Sequence, residues 1–243
     1  MAPRTTPIVS RSTTLALALV LTLVAGAVDA VGFTRITGVF PANQSGNLIL
    51  LGLAAGGFAP APGWRTALAI LAFAAGVITA GRIGARLGRH RMPSLLGAEA
   101  ALLAVVTWAA GPLRPAPTTV GGTRGLLCLV LLGLAMGVQT EVIRRVVGVG
   151  VSTTFESGAL ARLAEQLGRP DRPDPRTVVV LAVGITIYVL GAAAGSTLAT
   201  HWDRAVVAPT ATLLVLAVVS GVVVRRHARV DDDDGGPASG PRA

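Results

Sequence analysis

Six long apolar runs divide the chain, at residues 14–33, 66–85, 95–111, 125–143, 177–199 and 206–224. Each approaches or reaches the roughly 20 residues that a helix needs to cross a bilayer. Two further segments are too short or too polar to span alone. Residues 45–57 are apolar but few, and residues 157–167 carry Arg162, Glu165 and Gln166. Each follows a polar cluster built on a Ser-Gly pair, and Ser45 and Ser157 are expected as helix N-caps. Both segments read as half-helices, re-entrant or interfacial. At membrane depth, such backbone must be buried in protein or face water.

The clusters come as a pair. One reads Phe40-Pro41-Ala42-Asn43-Gln44-Ser45-Gly46-Asn47 and the other Thr154-Phe155-Glu156-Ser157-Gly158-Ala159. Each follows an apolar run that closes on small and polar residues, Gly26-Ala27-Val28-Asp29 and Gly137-Val138-Gln139-Thr140. Superposing the Ser-Gly pairs offsets the halves by 112 residues, nearly half of the 243-residue chain. The expectation is an internal duplication. It gives an N-terminal tail over 1–13, a first membrane repeat over 14–112, a connecting loop over 113–124, a second repeat over 125–224 and a disordered tail over 225–243. With three spans per half, the second repeat starts on the opposite side of the membrane. The fold class expected is therefore all-α, a polytopic membrane protein of about six transmembrane helices in two inverted three-helix repeats. Eight spans would make the repeats parallel, but the charges in 157–167 oppose that.

Composition agrees. The chain is 52% hydrophobic and only 14% charged, with a mean hydropathy of +0.67. Its formal net charge is +9, and all 21 basic residues are arginine. These arginines cluster between apolar runs, which fits positive loops at a membrane surface. No groove-reading motif accompanies them, so nucleic acid is not an expected partner. With the N-terminus inside, only Arg35, Arg65, Arg114, Arg124 and Arg204 lie outside, and the other 16 lie within. Both termini are thus expected in the cytoplasm. Ala25-Gly26-Ala27 resembles a signal cleavage site, but the run around it is long enough to serve as an uncleaved first helix. Asp231–Asp234 reads as a solubilising run rather than a metal site. Cys128, the single cysteine, reads as a small buried hydrophobe.

The clusters resemble the YoaK-like family of bacterial integral membrane proteins of unknown function. The resemblance rests on 26–33, 38–47, 136–140 and 152–158, and extends from about Leu15 to Val224. Where the family has Thr before the cluster glycine, this chain has Ser45 and Ser157. Where it has Asn after Gln, this chain has Thr140. The resemblance implies about six helices in a bacterial cytoplasmic membrane. It supplies no substrate and no catalytic residue.

Function therefore has to come from the polar residues inside apolar runs. Asp29 is the sharpest, since an intramembrane carboxylate is costly and functional by default. It could bind a cation or carry a proton. It could equally be a structural partner of Arg35, Arg65 or the amides of 45–47. Gln139 and Thr140 stand at the equivalent place in the second half, where helix-to-helix bonding and solute contact are both open. Asn43, Gln44, Ser45, Gly46 and Asn47 form one candidate binding cluster, and Thr154, Glu156, Ser157 and Gly158 the other. Opposed helix N-termini there would favour an anionic group, and capping is the simpler account. Glu141 is expected to pair with Arg144 or Arg145, and Glu99 to lie near the inner headgroups. Gly76-x-x-x-Ala80 and Gly191-x-x-x-Gly195 read as packing ridges, and Trp64 and Trp202 as interfacial anchors. No catalytic triad, H-E-x-x-H or phosphate-binding loop is present, so neither a catalytic residue nor a cofactor is expected. The leading reading is a secondary transporter or channel for an unidentified small solute. The alternatives are a membrane-embedded enzyme acting on a lipid or isoprenoid, and a structural membrane protein. The expected partners are the lipid bilayer and the solute, and association into a homo-oligomer is left open.

Overall fold

A computed structural model describes residues 11–58, 62–113, 120–146, 156–168 and 174–234. Among these residues there are helices and no strands: α1 (Arg11–Val31), α2 (Gln44–Ala55), α3 (Gly63–Arg86), α4 (Arg91–Ala110), α5 (Gly122–Val146), α6 (Glu156–Leu167), α7 (Pro175–His201) and α8 (Val207–Asp234). Six of them hold stretches long and apolar enough to span: Thr13–Thr37, Gly63–Arg86, Arg91–Ala110, Gly122–Arg144, Pro175–His201 and Val207–Val224. All six runs expected from hydropathy are there. The two short helices, α2 and α6, are the expected half-helices, each of 12 residues. At about 1.5 Å per residue neither could cross a bilayer.

Burial ranks the spans. In α5 and α1, 72% and 61% of the most apolar stretch is buried, against 17% in α7. So α1 and α5, the first span of each half, form the centre. Buried positions along α1 recur as Ala18, Leu21, Val24, Ala25, Val28 and Val31, a single helical face. The outer helices expose large apolar side chains, among them Ile78, Trp108, Leu190 and Val218. Such a surface suits lipid. Trp64 and Trp202 are exposed at the start of α3 and the end of α7.

Two helix crossings are close enough to exclude side chains. In α1 against α7, a Cβ on Gly26 would lie 2.2 Å from the Tyr188 carbonyl oxygen, and one on Gly191 would lie 2.2 Å from that of Leu23. In α3 against α5, a Cβ on Gly137 would lie 2.3 Å from the Phe73 carbonyl oxygen, and one on Gly76 would lie 2.4 Å from that of Leu134. Only glycine permits backbones this near, as in small-residue crossings of membrane helices. Both packing ridges expected from sequence lie in these crossings. Each crossing is parallel, because contacts advance together along both partners: Leu23 with Gly191 and Ala27 with Gly195, then Ala72 with Gly133 and Gly76 with Gly137. The central helices are antiparallel to each other. The Val120 amide, just before α5, donates to the Ile36 carbonyl beyond α1, while Gln139 near the end of α5 reaches Leu21.

Candidate functional site

α1 does not stop cleanly. Residues Gly32–Thr37 wind on as a wider π-helical turn, and Gly38 ends it at φ +73°. Without a side chain on Gly32, the Pro41 ring can lie where a Cβ would come within 2.5 Å of its Cγ. The chain thus folds back over the helix end, and the Phe33 and Phe40 rings stack at 4.3 Å. This reversal brings the first polar cluster over Asp29.

Asp29 is 3% exposed. Its Oδ1 accepts from the Ala42 amide at 2.6 Å and its Oδ2 from the Tyr188 hydroxyl at 2.6 Å. One carboxylate thereby joins α1, the loop before α2, and α7. Its partners differ from the expected ones: the amide comes from Ala42 rather than from 45–47. Tyr188, the only tyrosine, was not singled out by the sequence. Nothing in a single aromatic within an apolar run marks a partner 159 positions away.

Asn47 is fully buried and closes the cluster. Its Oδ1 accepts from the Phe40 amide at 2.9 Å, and its Nδ2 donates to the Phe40 carbonyl at 2.6 Å and to Gln44 Oε1 at 3.1 Å. Gln44 Nε2 in turn donates to the Pro41 carbonyl. The N-cap of α2 is Asn43, not Ser45. Asn43 Oδ1 accepts from the Gly46 amide at 3.0 Å and from Ser45 Oγ at 2.8 Å. Ser45 is the second residue of the helix, two past the cap, in a turn held by the Asn47–Phe40 bonds. Gly46 is required by the fold-back, since a Cβ there would meet the Phe40 ring at 2.9 Å. These bonds cap the first turn of α2 with the chain's own groups.

Gln139 and Thr140 lie elsewhere. Gln139 is fully buried and its Nε2 donates to the Leu21 carbonyl at 2.9 Å, tying α5 to α1 two turns before Asp29. Thr140 Oγ1 bonds back to Met136 in its own helix. Glu141, 2% exposed, stands 3.6 Å from Arg144, the expected partner, and 3.5 Å from Arg91 of α4, an unexpected one. Of the second cluster, Thr154 lies outside the described residues. Glu156, Ser157 and Gly158 form the first turn of α6, where Gly158 is exposed. The structure therefore brings Asp29 together with 43–47, and places Gln139 and Thr140 apart from them, with Gln139 about two turns away along α1.

Glu99 departs most from expectation. Because α4 begins at Arg91, it sits well inside the helix rather than at the headgroups, and it is fully buried. Neither of its carboxyl oxygens has a hydrogen-bond partner among the described residues, and the same holds for Gln139 Oε1.

Residues 17–219 match the family described as a protein of unknown function (DUF1275). The chain belongs to this family. The DUF1275 stretch runs from α1 into α8, takes in both polar clusters and four of the six candidate spans, and overlaps most of the first and the last. The protein is also similar to the UPF0700 transmembrane protein YoaK of Bacillus subtilis (strain 168), with 30% identity over 178 residues covering 71% of this chain and 78% of that protein. No solved structure matches. Apolar spans and a transmembrane relative together make this DUF1275 member a multi-pass membrane protein.

Proposed function

We propose that the protein is a secondary transporter or channel for a small solute, built as two inverted three-helix repeats in the bacterial cytoplasmic membrane. The observation that carries this reading is the correspondence of the two glycine crossings. Gly26 meets Tyr188 and Ala192, while Gly137 meets Phe73 and Val77. A shift of 111 maps the central helix of one crossing onto that of the other, and 115 maps their outer helices. The same shifts carry Leu23–Gly191 onto Leu134–Gly76. Both crossings are parallel, yet α1 runs opposite to α5. A two-fold axis across the bundle relates such crossings, and axes of that kind relate the halves of many transporters.

The correspondence stops at the third span. α4 packs along α5, whereas its counterpart α8 touches α1 only slightly. One seam closed and its equivalent loose is what a transporter caught on one side of its cycle would present. Exchange of the two seams would then alternate access. In this reading the solute or its coupling ion meets Asp29 with Asn43, Gln44, Ser45, Gly46 and Asn47 at one end. The second group proposed to contact it is Gln139, Thr140, Thr154, Glu156, Ser157 and Gly158.

Solute uptake by proteoliposomes over a panel of solutes tests the reading. Asp29→Asn should insert and abolish or uncouple flux. Unchanged flux of a transported solute would remove Asp29 from the site, and absence of flux across the panel would count against transport. A structural reading also has an observation in its favour, since both Asp29 oxygens are occupied by protein donors. It requires Asp29→Asn to lower the melting temperature, by about 1–3 kcal/mol of stability for a buried donor left facing an amide. Reporter fusions at His201 and at the C-terminus should lie on opposite sides, the C-terminus inside. Reports from one side would defeat the six-span topology.

A further inference from the structure

α4 and α8 meet antiparallel, with Gly221 against Pro93. There, His90, Pro93, Ser94, Ala217, Val218, Gly221 and Val222 line a groove of about 490 Å³. It opens at the end of α4 where Arg91 pairs with Glu141. Glu99 lies five residues beyond Ser94, about 7 Å deeper along the helix. It belongs to the buried stripe of α4 that includes Leu95, Leu96, Ala100 and Leu103.

The other wall of Glu99 is α5. Arg91 opposite Glu141 and Val106 opposite Cys128 fix an antiparallel register. That register sets Glu99 level with residues near 134. Gln139 lies about one turn to a turn and a half away along the seam, within roughly 6–9 Å. Two fully buried acceptors thus share one seam, and neither has a donor among the described residues. A charged carboxylate in such a place would lack both a counter-ion and a hydrogen bond. The neutral acid has an O–H to offer, and Gln139 Oε1 is an acceptor in need of one.

The ionisable groups around the seam do not supply a counter-ion. On α5, Glu141 and Arg144 pair with each other, and Arg124 and Cys128 lie towards the far end. On α4 itself Arg91 is engaged by Glu141. Arg65, Arg82 and Arg86 lie near the ends of α3, and His90 precedes α4. Val207–Val224 of α8 holds no ionisable residue, and α1 contributes Asp29, bonded to Ala42 and Tyr188.

We infer that Glu99 is a proton-binding site on the α4–α5 seam, occupied in this conformation. Protonation breaks one O–H bond of a hydronium ion, which leaves as water, and forms one on a carboxyl oxygen; deprotonation reverses both and leaves the carboxylate. The inference stands apart from the transport reading, because protonation is read directly and flux is not.

The test is infrared titration of the full chain in lipid nanodiscs. A protonated-acid carbonyl band is expected at neutral pH, absent in Glu99→Gln, and fading as the pH rises, about tenfold in the acid-to-carboxylate ratio per pH unit. Glu99→Asp, which keeps the acid, should shift the band and not delete it. Glu99→Gln, which carries the neutral form at every pH, should lose less stability on alkalinisation than the parent. Absence of the band at neutral pH overturns the inference. So does a band that persists in Glu99→Gln, which would belong to another carboxyl, and so does one that no pH removes. If sodium at constant pH abolishes the band, the site is a cation site and the proton assignment fails.

Discussion

Gly26→Ala and Gly137→Ala test the two crossings directly. Each change adds one methyl group at a point where the opposing atom is a main-chain carbonyl, at 2.2 Å from Gly26 and 2.3 Å from Gly137. Ordinary contact needs more than 3 Å, so the helices must part by about 1 Å before the methyl is tolerated. A backbone cannot rotate aside as a flexible side chain could. Parting at Gly26 also loosens the neighbouring contacts of Gly191 with Leu23 and Gly195 with Ala27. Overpacking of this kind costs about 1–3 kcal/mol per site. The same substitution at Gly97 or Gly184 meets nothing within 4 Å. There, alanine's better helix propensity makes it neutral or stabilising by at most about 1 kcal/mol. All four variants are to be unfolded side by side in mixed micelles. Equal losses at 26 and 137, against no loss at 97 and 184, are expected. Four indistinguishable midpoints would refute the close-crossing argument. A loss at only one of the two crossings would refute their equivalence.

Asn47→Ala removes both bonds to the Phe40 backbone and should destabilise by about 2–4 kcal/mol, since a buried amide and carbonyl lose their partner together. Protease accessibility of 38–43 should rise with it, and an unaltered digestion pattern would show that the cluster is held by other means. Glu141→Gln leaves Arg91 and Arg144 without their shared anion. It should cost more in melting temperature than Arg144→Ala, because the Arg144 side chain is 65% exposed and exposed pairs contribute little. The reverse order would mean that the Arg91 contact is idle.

Hydropathy reveals the spans because lipid solvation acts on 20-residue averages, and those averages are written in the sequence. The polar residues are harder, because their roles depend on single contacts. Asn43 and Ser45 are both good N-cap types, and only the Asn47–Phe40 bonds decide between them. Glu99 reads as interfacial if its helix is started at Leu95. The helix starts four residues earlier, tolerating Pro93 in its first turn, where the missing amide hydrogen costs nothing. That one boundary moves a carboxyl from the surface into the bundle. Tyr188 is invisible for a different reason: its partner lies in the other half of the chain.

The proposed correspondence also shows what the halves do not share. A shift of 111 carries Asp29 onto Thr140, and 115 carries Phe73 onto Tyr188. The bond between Asp29 and Tyr188 therefore faces, at its equivalent position, a threonine and a phenylalanine that cannot make it. Thr140 instead bonds back to Met136 of its own helix. The glycines that set the backbone distances occur in both halves, while the buried carboxyls are not repeated at equivalent positions. Packing constraints act on both crossings alike, because each must bring two backbones together. Chemistry needs only one site. In the proposed frame, Asp29 lies in one crossing and Glu99 on the one third span that packs along a central helix, so the two halves are chemically distinct. On the proposed transport reading, this is the asymmetry a vectorial process would use: the carboxyls sit on elements where the two halves differ, and the packing glycines sit where they agree.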